Sequence, residues 1–184
     1  MNLSTYRFLV ILFVSCSAST YGQDYLYSDH HKYPEVLSNR DISIHFYGLT
    51  TRLDSLNKAT LLPHVIITAV DIHKDAIMVN SNGFAYYDLP LKQNNKYTIY
   101  YEYQGMYTQF LELDTSNKTK IIKKSEYLLP TNTLMTKNQD PQIAAFYLEN
   151  PTEKIYWKPH SNMLIKDKLY ADSFEAKLKL LQND

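Results

Sequence analysis

From residue 41 to about 125, apolar and polar positions alternate in short runs, the period of half-buried strands. Ile42, Ile44 and Phe46 take one side, with Ser43, His45 and Tyr47 on the other, and Gly48 is expected to end that run. Residues 50–63 read as a polar connection. Val65-Ile66-Ile67-Thr68-Ala69-Val70 is nearly continuous, as in a central strand. A short strand follows over residues 76–79. Asn80-Ser81-Asn82-Gly83 is a strong turn signal and predicts a hairpin with Gly83 at positive φ. Ala85, Tyr87 and Leu89 face inward on the next strand, which Pro90 closes, and Gln93-Asn94-Asn95 turns again. Tyr97, Ile99, Tyr101 and Tyr103 then share one face, against Thr98, Tyr100 and Glu102. Gln104-Gly105 turns the chain, and Leu111 and Leu113 continue the core up to Asp114-Thr115-Ser116-Asn117.

Six or seven short strands with turns at this spacing and no helical crossover predict an antiparallel β-sandwich over residues 41–125. The C-terminal extension, 126–184, is less regular. Tyr127-Leu128-Leu129 and Lys154-Ile155-Tyr156-Trp157 read as short strands, and Asn138 to Pro141 and Asn150-Pro151 mark loops. Tyr170, Phe174, Leu178 and Leu181 fall at helical spacing, so a helix is expected over Lys168–Leu181, packed on the segment before it.

The N-terminus changes the compartment. Arg7 precedes the apolar run Phe8-Leu9-Val10-Ile11-Leu12-Phe13-Val14, and small polar residues follow. This order predicts a secretory signal peptide over residues 1–22, cleaved after Gly22. The run is too short for a permanent membrane span. A second reading makes Cys16 a lipidated N-terminus, because Phe13-Val14-Ser15-Cys16 is a loose lipobox with Phe in place of Leu. Either way the destination is the exported space: periplasm, outer membrane or medium. Residues 23–40 carry no clear period and read as an extended arm.

Charge and chemistry narrow the function. Basic and acidic residues are equal at 19 each among 184 residues, which argues against nucleic-acid binding. Four glycines leave no phosphate-cradling loop, and no zincin or nucleophile-elbow motif is present. With Cys16 the only cysteine, cleavage after Gly22 leaves no thiol and no disulfide. Of the histidines, Asp29-His30-His31 is an awkward metal site on an extended chain, and His45 is expected on a solvent face. Asp71 and His73 read as a polar pair at a strand end, and Glu112 with Asp114 as a wet strand face. His64, His73 and His160 would need an acid and a hydroxyl in a cleft to serve a small hydrolase. No catalytic residue, metal ligand or cofactor is therefore assigned. The unusual resource is 17 tyrosines. Tyr86, Tyr100 and Tyr103 are the candidate surface for a protein partner or a glycan, since aromatic faces give contact area at small entropic cost. The competing role is shielding under the C-terminal segment. Ser55, in Asp54-Ser55-Leu56, matches a short O-glycosylation motif of exported Bacteroidetes proteins.

Gly48, Pro63-His64-Val65-Ile66-Ile67 and Asn80-Ser81-Asn82-Gly83-Phe84-Ala85-Tyr86-Tyr87-Asp88-Leu89-Pro90-Leu91 together resemble the carboxypeptidase regulatory-like family. Lys96-Tyr97-Thr98-Ile99-Tyr100-Tyr101, Gly105-Met106-Tyr107 and Leu111-Glu112-Leu113-Asp114-Thr115 continue the likeness, and Pro151-Thr152-Glu153-Lys154-Ile155-Tyr156-Trp157 is similar to the tails of such Bacteroidetes envelope proteins. The resemblance implies a transthyretin-like, Ig-like antiparallel β-sandwich that is itself non-catalytic. The expected function is an exported module for protein interaction or surface assembly. A carbohydrate-binding accessory module is the alternative, and a small hydrolase comes third. Membrane contact is expected only through a lipid on Cys16.

Overall fold

Residues 44–54, 56–116, 127–158 and 163–182 are described by a computed structural model. The expected signal peptide and arm (residues 1–40), with Cys16, His30 and His31, and also Ser55 and His160, lie outside the described residues. The alternating runs form seven strands in chain order: β1 (Ile44–Leu53), β2 (Ala59–Leu61), β3 (Ile66–Asp71), β4 (Ala76–Asn80), β5 (Tyr86–Leu91), β6 (Lys96–Glu102) and β7 (Gln109–Asp114). They are followed by β8 (Tyr127–Pro130), β9 (Thr133–Met135), α1 (Pro141–Glu149), β10 (Lys154–Trp157), β11 (Leu164–Lys166) and α2 (Lys168–Leu181).

Two sheets face each other, as expected of a sandwich. In one, β1 lies between β2 and β5 on one side and β8 and β9 on the other. The second has the order β11-β10-β7-β6-β3-β4. The core between them takes Ile44, Phe46, Tyr87 and Leu89 from the first sheet, and Ile67, Ile99, Tyr101, Leu111 and Leu113 from the second. The segment after 126 supplies strands to both sheets: β8 and β9 run parallel to β1, and β10 runs parallel to β7. Trp157 is buried there, its indole N–H donating to the Thr115 carbonyl at 2.9 Å.

Local expectations need correcting at three places. Gly48 does not end the first run. It sits inside β1, where lack of a side chain admits the backbone of Thr131. Residues 50–63 are not a mere connection, because Thr50 and Thr51 are buried strand positions. The Thr50 hydroxyl reaches the Leu62 carbonyl at 2.6 Å, so a polar residue satisfies its own burial. β3 is an inner strand between β6 and β4, as its near-continuous apolar run predicts, although its burial alternates, with Ile66 exposed. The turn at residues 80–83 is not a hairpin, since β4 and β5 belong to different sheets and the chain crosses the sandwich there. The Asn82 side chain shapes the crossing by accepting from the Phe84 and Tyr86 amides at 2.9 and 3.0 Å. Positive φ consequently falls on Ala85, at 61°, rather than on Gly83.

The helix expected over Lys168–Leu181 is present as α2, capped by Asp167, whose carboxylate accepts from the Tyr170 amide at 3.0 Å. α1 is an addition. Asp140 caps it and Pro141 opens it, a start signal that was present in the sequence. Phe174 packs on Phe146 at 5.0 Å between centroids, and Tyr147 stacks on Tyr107 at 5.2 Å. This small second core docks both helices against the sandwich.

Candidate functional site

The side chains that alternate away from the core on β3, β4, β6, β7 and β10 lie on the outer face of the six-stranded sheet. Cross-strand register arranges them in rows. One row runs Met78, Thr68, Tyr100, Phe110. The Tyr100 and Phe110 rings lie 5.7 Å apart at 34°, and Met78 is strongly exposed. The next row is Thr98, Glu112, Lys154, followed by Lys96, Asp114, Tyr156.

The charges in these rows are paired. Lys154 Nζ is 3.0 Å from Glu112, and Lys96 Nζ is 2.9 Å from Asp114. Lys154 also sits over the Tyr170 ring, 4.8 Å from its centroid, which ties α2 to the sheet. A shallow groove of about 530 Å³ runs over this end, between Asp71 and Ile72 on one side and Glu112, Asp114, Lys154 and Tyr156 on the other. Burial pushes the Asp114 carboxyl up, but Lys96 and the Ser116 amide outweigh it and hold the group below the ordinary value. Asp114 and Glu112 in turn hold Lys96 and Lys154 above theirs. These shifts keep Asp114, Lys96 and Lys154 ionised near neutrality.

The three tyrosines singled out in the sequence do not form one surface. Tyr100 lies on this face. Tyr86 is on β5 of the other sheet, its ring 6.3 Å from Tyr47. Tyr103 follows the inward parity of β6 and packs half-buried against the main core. Outward positions of two facing sheets point away from each other, so strand alternation alone cannot unite them. Phe110 is the ring partner Tyr100 does have, and Met78 and Tyr156 share its face; each is readable as an outward position on its strand.

The polar candidates resolve separately. His45 lies on the outer face of the five-stranded sheet but is largely covered, its Nδ1 3.2 Å from Asp88. Asp71 is a turn-forming group: its carboxylate accepts from the backbone amides of His73 and Asp75 at 2.8 and 3.0 Å and from the Asn95 amide at 2.9 Å. Among the described residues, no three His, Cys, Asp or Glu side chains cluster as metal ligands. No helix among them is long and apolar enough to cross a membrane.

No known protein family matches the sequence, and no curated protein does. Among solved structures, catechol 1,2-dioxygenase from Pseudomonas arvilla C-1 aligns at 5% identity and a TM-score of 0.37, covering 62% of this chain and 56% of that one. A Pseudomonas aeruginosa protein described as a candidate carbohydrate binder aligns at 10% identity and a TM-score of 0.35, covering 59% of this chain and all of that one.

Proposed function

We propose that the chain is a non-catalytic, exported binding module of the carboxypeptidase regulatory-like type, and that it engages a protein partner through the outer face of its six-stranded sheet. The observation that carries this reading is the row Met78, Thr68, Tyr100, Phe110 beside two rows of neutralised ion pairs. An apolar, partly aromatic stripe with a polar border is the usual composition of a recognition patch. Export is supported by the signal-peptide pattern of residues 1–22. A glycan is the second reading, favoured by the Tyr100–Phe110 ring pair, on which a sugar can stack between the flanking hydroxyl groups of Thr68 and Thr98.

Site-specific photo-crosslinking from position 156 in intact cells tests the proposal. One discrete protein adduct, lost in Tyr100→Ser/Phe110→Ser with melting temperature unchanged, supports it. Binding to a glycan array that the same double variant abolishes moves the assignment to a carbohydrate module. Retention of the adduct in the double variant removes this face from the reading.

A further inference from the structure

β4 is an edge strand whose exposed side carries none of the usual protection. Among the described residues it pairs with β3 alone, and its sequence, Ala76-Ile77-Met78-Val79-Asn80, holds no charge and no proline. The other edges are guarded or short: β5 contains Asp88 and Pro90, β8 ends in Pro130, and β2, β9 and β11 have three residues each. Natural sheets rarely leave a neutral apolar edge open without a partner for it.

The backbone of β4 is set for pairing. Asp71 N–H donates to the Asp75 carbonyl at 3.0 Å, closing the β3–β4 ladder at that end. Antiparallel alternation from there turns the amides and carbonyls of Ile77 and Val79 toward β3, and those of Ala76, Met78 and Asn80 outward. Ile77 and Val79 point their side chains at the core, yet remain only half-buried, since among the described residues no strand flanks them on that side.

We infer that this edge pairs with the same edge of a second copy of the chain, antiparallel, with Met78 on the two-fold axis. The strand is complementary to itself in that register. Met78 meets Met78, Ala76 meets Asn80, and Ile77 meets Val79, which completes the cover over two half-buried core residues. Beyond the strand, Lys74 faces Asn82 and Asp75 faces Ser81, so no like charges oppose each other. Three outward residues per copy supply about six backbone hydrogen bonds between the chains. A contact of this size sits at the low end of stable interfaces, so association in the micromolar range is expected. The dimer does not depend on the binding reading above. If that reading holds, the dimer also joins two Met78–Phe110 rows into one continuous, bivalent face.

Sedimentation velocity of the full exported chain over a range of micromolar concentrations tests the inference, with melting temperature followed alongside. Wild type should move from one to two chain masses as concentration rises. Met78→Lys and Met78→Glu, both at a strongly exposed position, should each be monomeric and melt like wild type. An equimolar mixture of the two should recover the doubled mass. A wild type that stays monomeric throughout overturns the inference. So does a dimer indifferent to both variants, and so does growth into open-ended polymers, which signals head-to-tail pairing of unlike edges.

Discussion

Gly48 and Thr131 approach so closely that a β-carbon added to Gly48 would lie 2.0 Å from the Thr131 carbonyl oxygen. The contact joins the middle of β1 to the bend between β8 and β9, beside the hydrogen bond from Thr131 N–H to the Tyr47 carbonyl at 2.7 Å. Backbone, unlike the end of a long side chain, cannot swing aside. Gly48→Ala should therefore lower stability by about 2 kcal/mol or more, through overpacking and loosening of the parallel strands. Urea denaturation of the variant measures it, and a midpoint equal to wild type would mean that β8 and β9 are not held against β1 as described.

The same carbonyl accepts the hydroxyl of Tyr87, which also lies 3.0 Å from the Tyr101 hydroxyl. Both rings are buried in the sandwich core, and burial raises both phenols above their ordinary value, keeping them neutral donors. Tyr87→Phe leaves the buried Thr131 carbonyl without this donor and takes one of two partners, Tyr87 and Thr133, from the Tyr101 hydroxyl, so a loss of about 1–3 kcal/mol is expected. Tyr101→Phe should cost less, and the double variant less than the sum of the two. A double-mutant cycle on unfolding free energies reads the coupling directly.

Backbone conformation separates two glycine-related substitutions. Gly83 lies outside the left-handed region and has open space where a β-carbon would go, so Gly83→Ala should leave the melting temperature nearly unchanged. Lys74, exposed in the β3–β4 turn, holds φ at 68°. Lys74→Gly should raise stability by about 0.5–1 kcal/mol, as the left-handed strain is relieved. Differential scanning calorimetry of the two variants ranks them, and the reverse order would relocate the strained turn.

Acid should destabilise the fold through two carboxylates. Burial pushes Asp71 up, but hydrogen bonds from Asn95, Asp75 and His73 outweigh it and leave the carboxyl below its ordinary value of 3.8. Asp114 is lowered likewise, with Lys96 the main counterweight to burial. A carboxyl lowered in the folded state contributes fully above the unfolded value and loses that contribution as pH falls through the folded one. Stability should be level from neutral pH to about 5 and fall below about 4. Melting curves taken across that range should be flatter for Asp71→Asn than for wild type.

Strand existence and facing were legible because one buried face imposes a period of two on the chain. Ile44, Phe46, Tyr87, Leu89, Tyr97, Ile99, Tyr101, Leu111 and Leu113 all lie where alternation predicts. Helix α2 was equally plain from the spacing of Tyr170, Phe174, Leu178 and Leu181. Thr50 and Thr51 look like loop because their letters are polar, whereas their hydroxyls are satisfied by carbonyls that only the folded chain brings near. The site was legible in part. Tyr100 faces outward as its parity requires, but Tyr86 and Tyr103 do not join it.

By itself, the sequence determined which apolar strand residues leave water and how α2 is spaced, since these depend on neighbours within a few positions. Tertiary structure alone decided which strands share a sheet. That choice turned the residue 80–83 turn into a crossing, placed Phe110 across from Tyr100 with Tyr156 on the same face, and left β4 at an edge of the described sheet. The physical reason is that alternation reports only inside or outside. Sheet membership is settled by hydrogen bonds between strands far apart in the chain, and by single close approaches such as Gly48 on Thr131.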